Sequence, residues 1–263
     1  MPTQKPRRPK TAARGGYSAP ALEKGVDILE LLADPESGLT ISDIAERLRR
    51  RMSELFRIII VLERRGWLRK DAESSRYFMT YHVLRLAHRG TPAHTLTRAA
   101  SPVMHELSTT INQSCHLVVR SDIQGLVILR QENQKRHANL SVRLGAVVPL
   151  IGSCSGHVLL AHMDDEELQS VLRAMPRSWD VSRARLNKAL QRIRKHGYEV
   201  QRSPVTAGVT DISYPVSGFD GRAVAALTVP YLHALDGSLP TTVEETRGLV
   251  EHAARRISQA LGG

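Results

Sequence analysis

At 263 residues the chain exceeds an average domain of about 100 to 200, so two unequal domains are expected, the larger with ample material for its own core. It carries no apolar run near the roughly 18 residues of a membrane helix and no apolar leader, which points to a cytosolic protein, and its two cysteines, Cys115 and Cys154, are too few for a disulfide framework or a thiolate zinc site. The net charge of +11 is unevenly spread: residues 1–90 hold 18 Lys and Arg against 11 Asp and Glu, a net of +7, and the other 173 hold 19 against 15, a net of +4. Such an N-terminal excess is the footprint a polyanion requires, although charge alone fits a basic soluble surface equally well.

In chain order, residues 1–18 combine Lys5, Arg7, Arg8, Lys10 and Arg14 with Pro2, Pro6, Pro9, Gly15 and Gly16 and contain no acid. So little apolar area cannot offset ordering entropy, and a disordered basic arm is expected, free to touch phosphates nonspecifically. The prolines spoil the amphipathic helix that a mitochondrial transit peptide needs.

Residues 19–80 read as one small domain. Leu22, Val26, Leu29 and Leu32/Ala33 recur at helical spacing from Ala21 to Ala33, and Asp34-Pro35 with Gly38 ends that helix. Thr40 is then an N-cap with Asp43 three residues on, and Ile41, Ile44, Ala45 and Leu48 form an apolar stripe. After the turn Arg49-Arg50-Arg51, a third helix begins at Ser53 with Leu55, Ile58, Ile59 and Leu62 as its buried stripe and stops at Gly66 in the C′ position. Trp67 to Lys70 and Arg76 to Met79 flank Asp71-Ala72-Glu73-Ser74-Ser75 as a hairpin. Three helices and a hairpin describe a winged helix-turn-helix.

That motif explains the residue types. A recognition helix enters the major groove by its N-terminal turn, where unpaired backbone N–H groups favour phosphate and nearby side chains reach base edges. Ser53 suits a phosphate or base contact, and Arg57, one turn on, a bidentate contact to guanine. Arg49, Arg50 and Arg51 at the turn, with Arg69, Lys70 and Arg76 on the wing, would neutralise phosphates, and Thr40 at the start of the second helix is a further candidate DNA contact. Glu54 could accept from cytosine or repel off-target phosphate. Taken singly, each arginine fits a solvated surface charge; the cluster on this pattern points to double-stranded DNA.

The segments ALEKGVDILELLAD, LTISDIAERL, SELFRIIIVLERRGWL and RYFMTYHVLRLA resemble the DNA-binding domain of the IclR family of bacterial transcriptional regulators. SPVMHELSTTINQSCHLVV, LGAVVPLIGSCSGHVLLA, IRKHGYEV and GVTDISYPVSGFDGRAVAALTV are similar to that family's effector-binding domain, so the likeness runs from about Ala21 to Leu261. The resemblance implies an α+β protein: a winged helix-turn-helix, a linker helix region over 81–94 and a GAF-like sensor domain over 95–263. It also implies a homodimer or homotetramer, in which the linker pairs protomers so that two recognition helices meet a pseudopalindromic operator. Two departures stand out: Arg49 occupies the turn position where the family usually has glycine, and Asp211 the position where many members have cysteine.

Beyond Tyr81, Val83, Leu84 and Ala87 suit a short linker helix broken at Gly90 and Pro92, and Leu96, Ala99/Ala100, Val103 and Leu107 mark the next helix. Strands are expected at 116–120, 125–131, 140–144, 212–216 and 223–229, and helices at 156–162, 165–173, 182–196 and 243–261, the last with a Val250, Ala254, Ile257 and Leu261 stripe.

Gly152-Ser153-Cys154-Ser155-Gly156, between an apolar strand and a helix, is the most chemically suggestive stretch. It suits a clamp in which small side chains and free N–H groups hold the carboxylate of a small organic acid. A tight turn with Cys154 as a small buried hydrophobe, and a hydrolase elbow with Cys154, Asp211 and His233 in order, are the other readings. Few βαβ units are available to build a hydrolase sheet. The resemblance puts the pocket's other wall at Arg202 to Gly208, and the candidate contacts are His116, Ser153, Cys154, Ser155, Gly156, Val209, Asp211 and Ser213. His116, Asp211 and His233 could hold a zinc-like ion only if their strands converged, and no close spacing supports it. His105, His137 and His157 are expected to serve structure alone. No cofactor, membrane or enzymatic role is expected.

Overall fold

The computed structural model describes residues 18–33, 38–132, 140–175, 182–234 and 239–263. The expected basic arm, apart from Ser18, and the Asp34-Pro35 stop lie outside the described residues. The chain divides into two compact units, 1–91 and 92–263.

The first unit comprises α1 (Pro20–Leu32), α2 (Ile41–Leu48), α3 (Met52–Arg64), β1 (Leu68–Lys70), β2 (Tyr77–Met79) and α4 (His82–Gly90). Its core gathers Ile28 and Leu32 of α1, Ile44 of α2, Leu55 and Ile59 of α3, and Leu39, Leu68 and Tyr77. Burying each large aliphatic chain contributes about 1.5–3 kcal/mol. The expected stripe of α1 holds at Leu32, which is buried, but is corrected before it: Gly25 and Ile28 are buried, whereas Leu22 and Val26 are exposed. Both sets have helical spacing on a helix apolar over more than one face, so periodicity alone cannot choose between them.

At α2, the capping box forms: Thr40 accepts from the Asp43 N–H at 3.2 Å, and Asp43 accepts from the Thr40 N–H at 3.0 Å. At the other end of the unit's helical part, α3 stops as expected. Gly66 adopts φ 76°, and the Trp67 and Gly66 N–H groups return to the Leu62 and Glu63 carbonyls at 2.9 and 2.8 Å, a Schellman closure that only glycine enters without strain. The wing strands pair antiparallel with Arg69 opposite Phe78, and an isolated bridge from Leu39 to Tyr77 adds a third edge.

The second unit contains α5 (Ala93–Ile111), β3 (Cys115–Ser121), β4 (Gln124–Gln131), β5 (Val147–Pro149), α6 (Cys154–Ala161), α7 (Asp165–Ala174), α8 (Arg183–His196), β6 (Glu199–Arg202), β7 (Val209–Ser217), β8 (Ala223–Leu232) and α9 (Val243–Ala260). Six strands form one antiparallel sheet in the order β5-β4-β3-β8-β7-β6. On one sheet face Leu117, Ile212, Tyr214, Leu227 and Val229 pack with the apolar stripes of α5 and α9. The opposite face, with Val118, Val127 and Ala226, packs with α6, α7 and α8. Central β8 is therefore buried on both sides, and the architecture is α+β.

Two expectations for this unit are corrected. Residues 140–144 are irregular; the strand that pairs with β4 lies beyond Gly145, which turns the chain at φ 77°. Strand β6 was not expected, because Glu199-Val200-Gln201-Arg202 offers one apolar residue among polar ones. It is an edge strand on which Glu199 and Gln201 share the sheet face of Ser213 and Asp211, while Val200 and Arg202 point to the other.

Candidate nucleic-acid interface and ligand site

The turn from α2 to α3 is built on an unusual backbone. Arg49 sits at φ 54°, ψ 46°, the left-handed region, while its N–H reaches the Glu46 carbonyl at 3.0 Å and the Arg50 N–H the Ala45 carbonyl at 2.9 Å. This is glycine's closure made by arginine, at a strain of about 1–2 kcal/mol. Arg51 then occupies the α3 N-cap without a side-chain cap, and its carbonyl accepts from the Glu54 N–H at 3.1 Å.

Along α3, Leu55 and Ile59 face the core, whereas Ser53, Glu54 and Arg57 are exposed. Helical geometry puts Ser53 and Arg57 on the side directly opposite the core. Glu54 lies on the flank toward α1, where Lys24 Nζ meets its carboxylate at 2.7 Å and holds it below the usual range. It therefore braces α3 against α1. Among the described residues, the ion pairs of this unit engage Lys24 and Arg76 and leave Arg49, Arg50, Arg51 and Arg57 without an acid partner within 4.0 Å.

The wing cations differ among themselves. Arg69 lies 4.5 Å over the Phe78 ring and Lys70 5.9 Å over Tyr77, both at exposed positions. Arg76 instead donates to the Gly38 carbonyl at 2.7 Å and lies 3.9 Å from Asp43, so it ties the wing to the start of α2.

In the second unit, the strand register assembles a polar row that sequence reading missed. Glu199 of β6 stands opposite Ser213, Ser213 opposite Thr228, Thr228 opposite His116, and His116 opposite Arg130. The next row pairs Gln201 with Asp211 and Asp211 with Pro230. The N-terminus of α6 sits over these rows: Cys154 Sγ lies 3.4 Å from the Glu199 carbonyl and 3.5 Å from the Asp211 carbonyl.

Each group here has a definite state. Ser213 and Thr228 hydroxyls meet at 2.8 Å, fully buried. His116 is buried and its pKa falls to about 4, so the ring is neutral. Burial pushes Asp211 up to about 6, the Glu199 charge adds to the rise, and a hydrogen bond from the Ser203 side chain opposes it. Glu199, 1% exposed, is held by His157 Nδ1 at 2.8 Å and Arg192 at 3.1 Å. His157 also reaches the Ile151 carbonyl at 3.0 Å; burial opposes its charge, yet Glu199 and this carbonyl raise its pKa above the usual value. Gln201 Nε2 is buried and has no hydrogen-bond partner among the described residues.

The Gly152 to Gly156 stretch is partly occupied by its own contacts. Ser153 Oγ donates to the Pro149 carbonyl at 2.7 Å and accepts from the Gly156 N–H at 3.1 Å, so it is the α6 cap. At Gly156 a Cβ would lie 2.2 Å from the Leu150 carbonyl oxygen, which makes the residue a packing requirement. Ser155 is buried beside Ser153, with the two hydroxyls 3.4 Å apart. Val209 is buried at the start of β7.

The hydrolase reading fails on geometry. Cys154 is 2% exposed, and burial together with the Glu199 and Asp211 carboxylates pushes its thiol well above the usual range. Alternation along β7 and β8 places Thr210 and His233 on the sheet face opposite Asp211, and His233 Nε2 bonds Thr210 there at 2.9 Å. The same alternation keeps His233 from joining His116 and Asp211 around an ion.

Residues 21–72 match the IclR helix-turn-helix domain, and residues 89–259 match the bacterial transcriptional regulator IclR C-terminal domain. The chain belongs to the IclR family of bacterial transcriptional regulators. Among curated relatives of this IclR-family chain, the transcriptional repressor AllR of Salmonella typhi is 27% identical over 261 residues, covering 96% of this chain and 92% of AllR. The regulator KdgR of Escherichia coli is 25% identical over 252 residues, covering 93% and 94%. Among solved structures, an IclR homologue from Microbacterium hydrocarbonoxydans complexed with 4-hydroxybenzoate superposes with TM-score 0.76 at 26% identity, over 92% of this chain and 98% of that one. The IclR-family regulator of Alicyclobacillus acidocaldarius shares the fold at TM-score 0.74 and 22% identity, over 94% and 100%. This IclR-family chain is thus a transcriptional regulator with a helix-turn-helix DNA-binding domain. None of its described helices is long and apolar enough to cross a membrane.

Sequence reading missed Glu199, Gln201, Arg192 and Thr228 in the second unit; His157, expected to serve structure, holds Glu199. Glutamate and glutamine at alternate positions of a short run before a glycine-bounded strand were the available signal, and it is weak.

Proposed function

We propose that this regulator works in the bacterial cytoplasm as a homodimer or homotetramer, reading a pseudopalindromic operator with two copies of α3. Ser53 and Arg57 contact bases; Arg49, Arg50, Arg51, Arg69 and Lys70 neutralise phosphates. Glu54 and Arg76 hold the recognition unit in shape, since both are engaged within it. The observation that carries this reading is the face of α3: Ser53 and Arg57 exposed opposite the core, beside a run of arginines without acid partners among the described residues.

The sensor site lies between the α6 N-terminus and the polar rows of the sheet, and its ligand is a small acidic metabolite. Ser153, Cys154, Ser155 and Gly156 form one wall, with His116, Val209, Asp211 and Ser213 opposite. The 4-hydroxybenzoate bound by the Microbacterium homologue is an acid of that size and supports the class. The protonated form of Asp211 donates to such a ligand, which the ionised form would repel. An effector that binds two protomer arrangements unequally shifts their populations and so changes operator affinity.

Duplexes selected from a random library with the full-length protein test this. At fixed salt the selected duplex is expected to bind at least a thousandfold more tightly than random DNA. Equal affinities exclude a sequence-specific regulator. Thermal-shift screening against small organic acids tests the sensor; a binding acid raises the melting temperature and changes operator affinity.

A further inference from the structure

The face of α3 that carries Ser53 and Arg57 also carries large apolar side chains. Phe56 is 52% exposed and Ile60 41% exposed, while Leu55 and Ile59 fill the core. At 3.6 residues per turn, Ile60 shares the outward direction of Ser53 and Arg57, and Phe56 lies one step around on the flank away from the Lys24–Glu54 pair. Water-exposed aromatic surface is unfavourable, and here it stands in the middle of α3 beside the exposed Arg57.

The charge around Phe56 selects its partner. Arg57 adjoins it, and Arg49, Arg50 and Arg51 precede the helix, none within 4.0 Å of an acid among the described residues. A polyanion is attracted to this face, and a protein surface without strong negative charge is not. Within the major groove, thymine is the base that offers an apolar group, its 5-methyl.

We propose that Phe56, supported by Ile60 one turn on, is a specificity-determining residue that packs against the 5-methyl of a thymine in the operator. Because Phe56 and Arg57 are consecutive, that thymine lies next to the guanine read by Arg57 or one base pair beyond. The assignment rests on α3 being the helix that enters the groove.

The test uses the full-length protein and the duplex selected from a random library. The duplex is prepared twice, with thymine and with deoxyuridine, which removes only the methyl groups. Wild type is expected to bind the deoxyuridine duplex about fourfold more weakly per buried methyl, and the loss multiplies across two half-sites. Phe56→Ala is expected to bind both duplexes equally while keeping the wild-type melting temperature, because the ring is half exposed. A wild-type ratio of one overturns the assignment, as does a Phe56→Ala protein that keeps the wild-type ratio. If that variant instead changes oligomeric state with the ratio intact, the ring belongs to a protein interface and the proposal fails. A selection that enriches no sequence removes the groove-entering reading of α3 itself.

Discussion

Arg49 sets stability against binding at a single residue. Its left-handed backbone costs what glycine would not, yet its side chain adds a cation to the turn before α3. Arg49→Gly is expected to stabilise the first unit by about 1 kcal/mol, raising the melting temperature by a few degrees. The same change should weaken DNA binding and reduce the salt slope of log K by about one. Calorimetry and binding isotherms at several salt concentrations separate the two effects; a destabilised variant would contradict the strain. Asp211 gives a second residue-scale test. Its folded pKa, about 6, lies above the ordinary 3.8, so its protonated form favours the fold. That contribution is fully present below about 3.8 and is lost as pH rises through about 6. Asp211→Asn removes the ionisation, and its stability advantage over wild type in denaturant melts should therefore grow between pH 4 and 7. A difference independent of pH would exclude the buried acid. Arg49 was legible only through the resemblance, in which glycine usually fills that turn position, and its backbone is left-handed. Asp211 was legible as a candidate, whereas its protonation depends on Glu199 and burial that only the folded register creates.

At the level of elements, local chemistry was legible and pairing was not. The Thr40 cap, the Gly66 stop and the apolar stripes of α2, α3 and α9 depend on neighbours within a few residues, and all form. The phase of α1 depends on what packs against it, and β6 owes its place to pairing with β7. The polar row from Glu199 to Arg130 crosses five strands, so no local pattern announces it. Two substitutions test these joints. Gly156→Ala would drive a Cβ into the Leu150 carbonyl, and a loss of about 3 kcal/mol is expected, at the upper end of ordinary overpacking; an unaffected denaturation midpoint would mean α6 does not rest on that backbone. Glu199→Gln keeps an acceptor but removes the carboxylate charge that helps raise the His157 pKa. The His157 ring should then titrate at lower pH by NMR, and stability at pH 6 should fall by about 1–3 kcal/mol. An unchanged titration would place the cause elsewhere.

For the whole molecule, the division of labour between reading and anchoring is the testable content. The selected operator is expected to be pseudopalindromic, with half-sites separated by about one helical turn or a multiple of it. The decisive measurement compares Arg57→Ala with Arg50→Ala on the selected operator and on random duplex across a salt series. Arg57→Ala should lose about 1–3 kcal/mol on the operator alone, and Arg50→Ala should weaken both duplexes alike with a smaller salt slope. Operator binding untouched by Arg57→Ala, or equal losses on both duplexes, would contradict base reading by the first turns of α3.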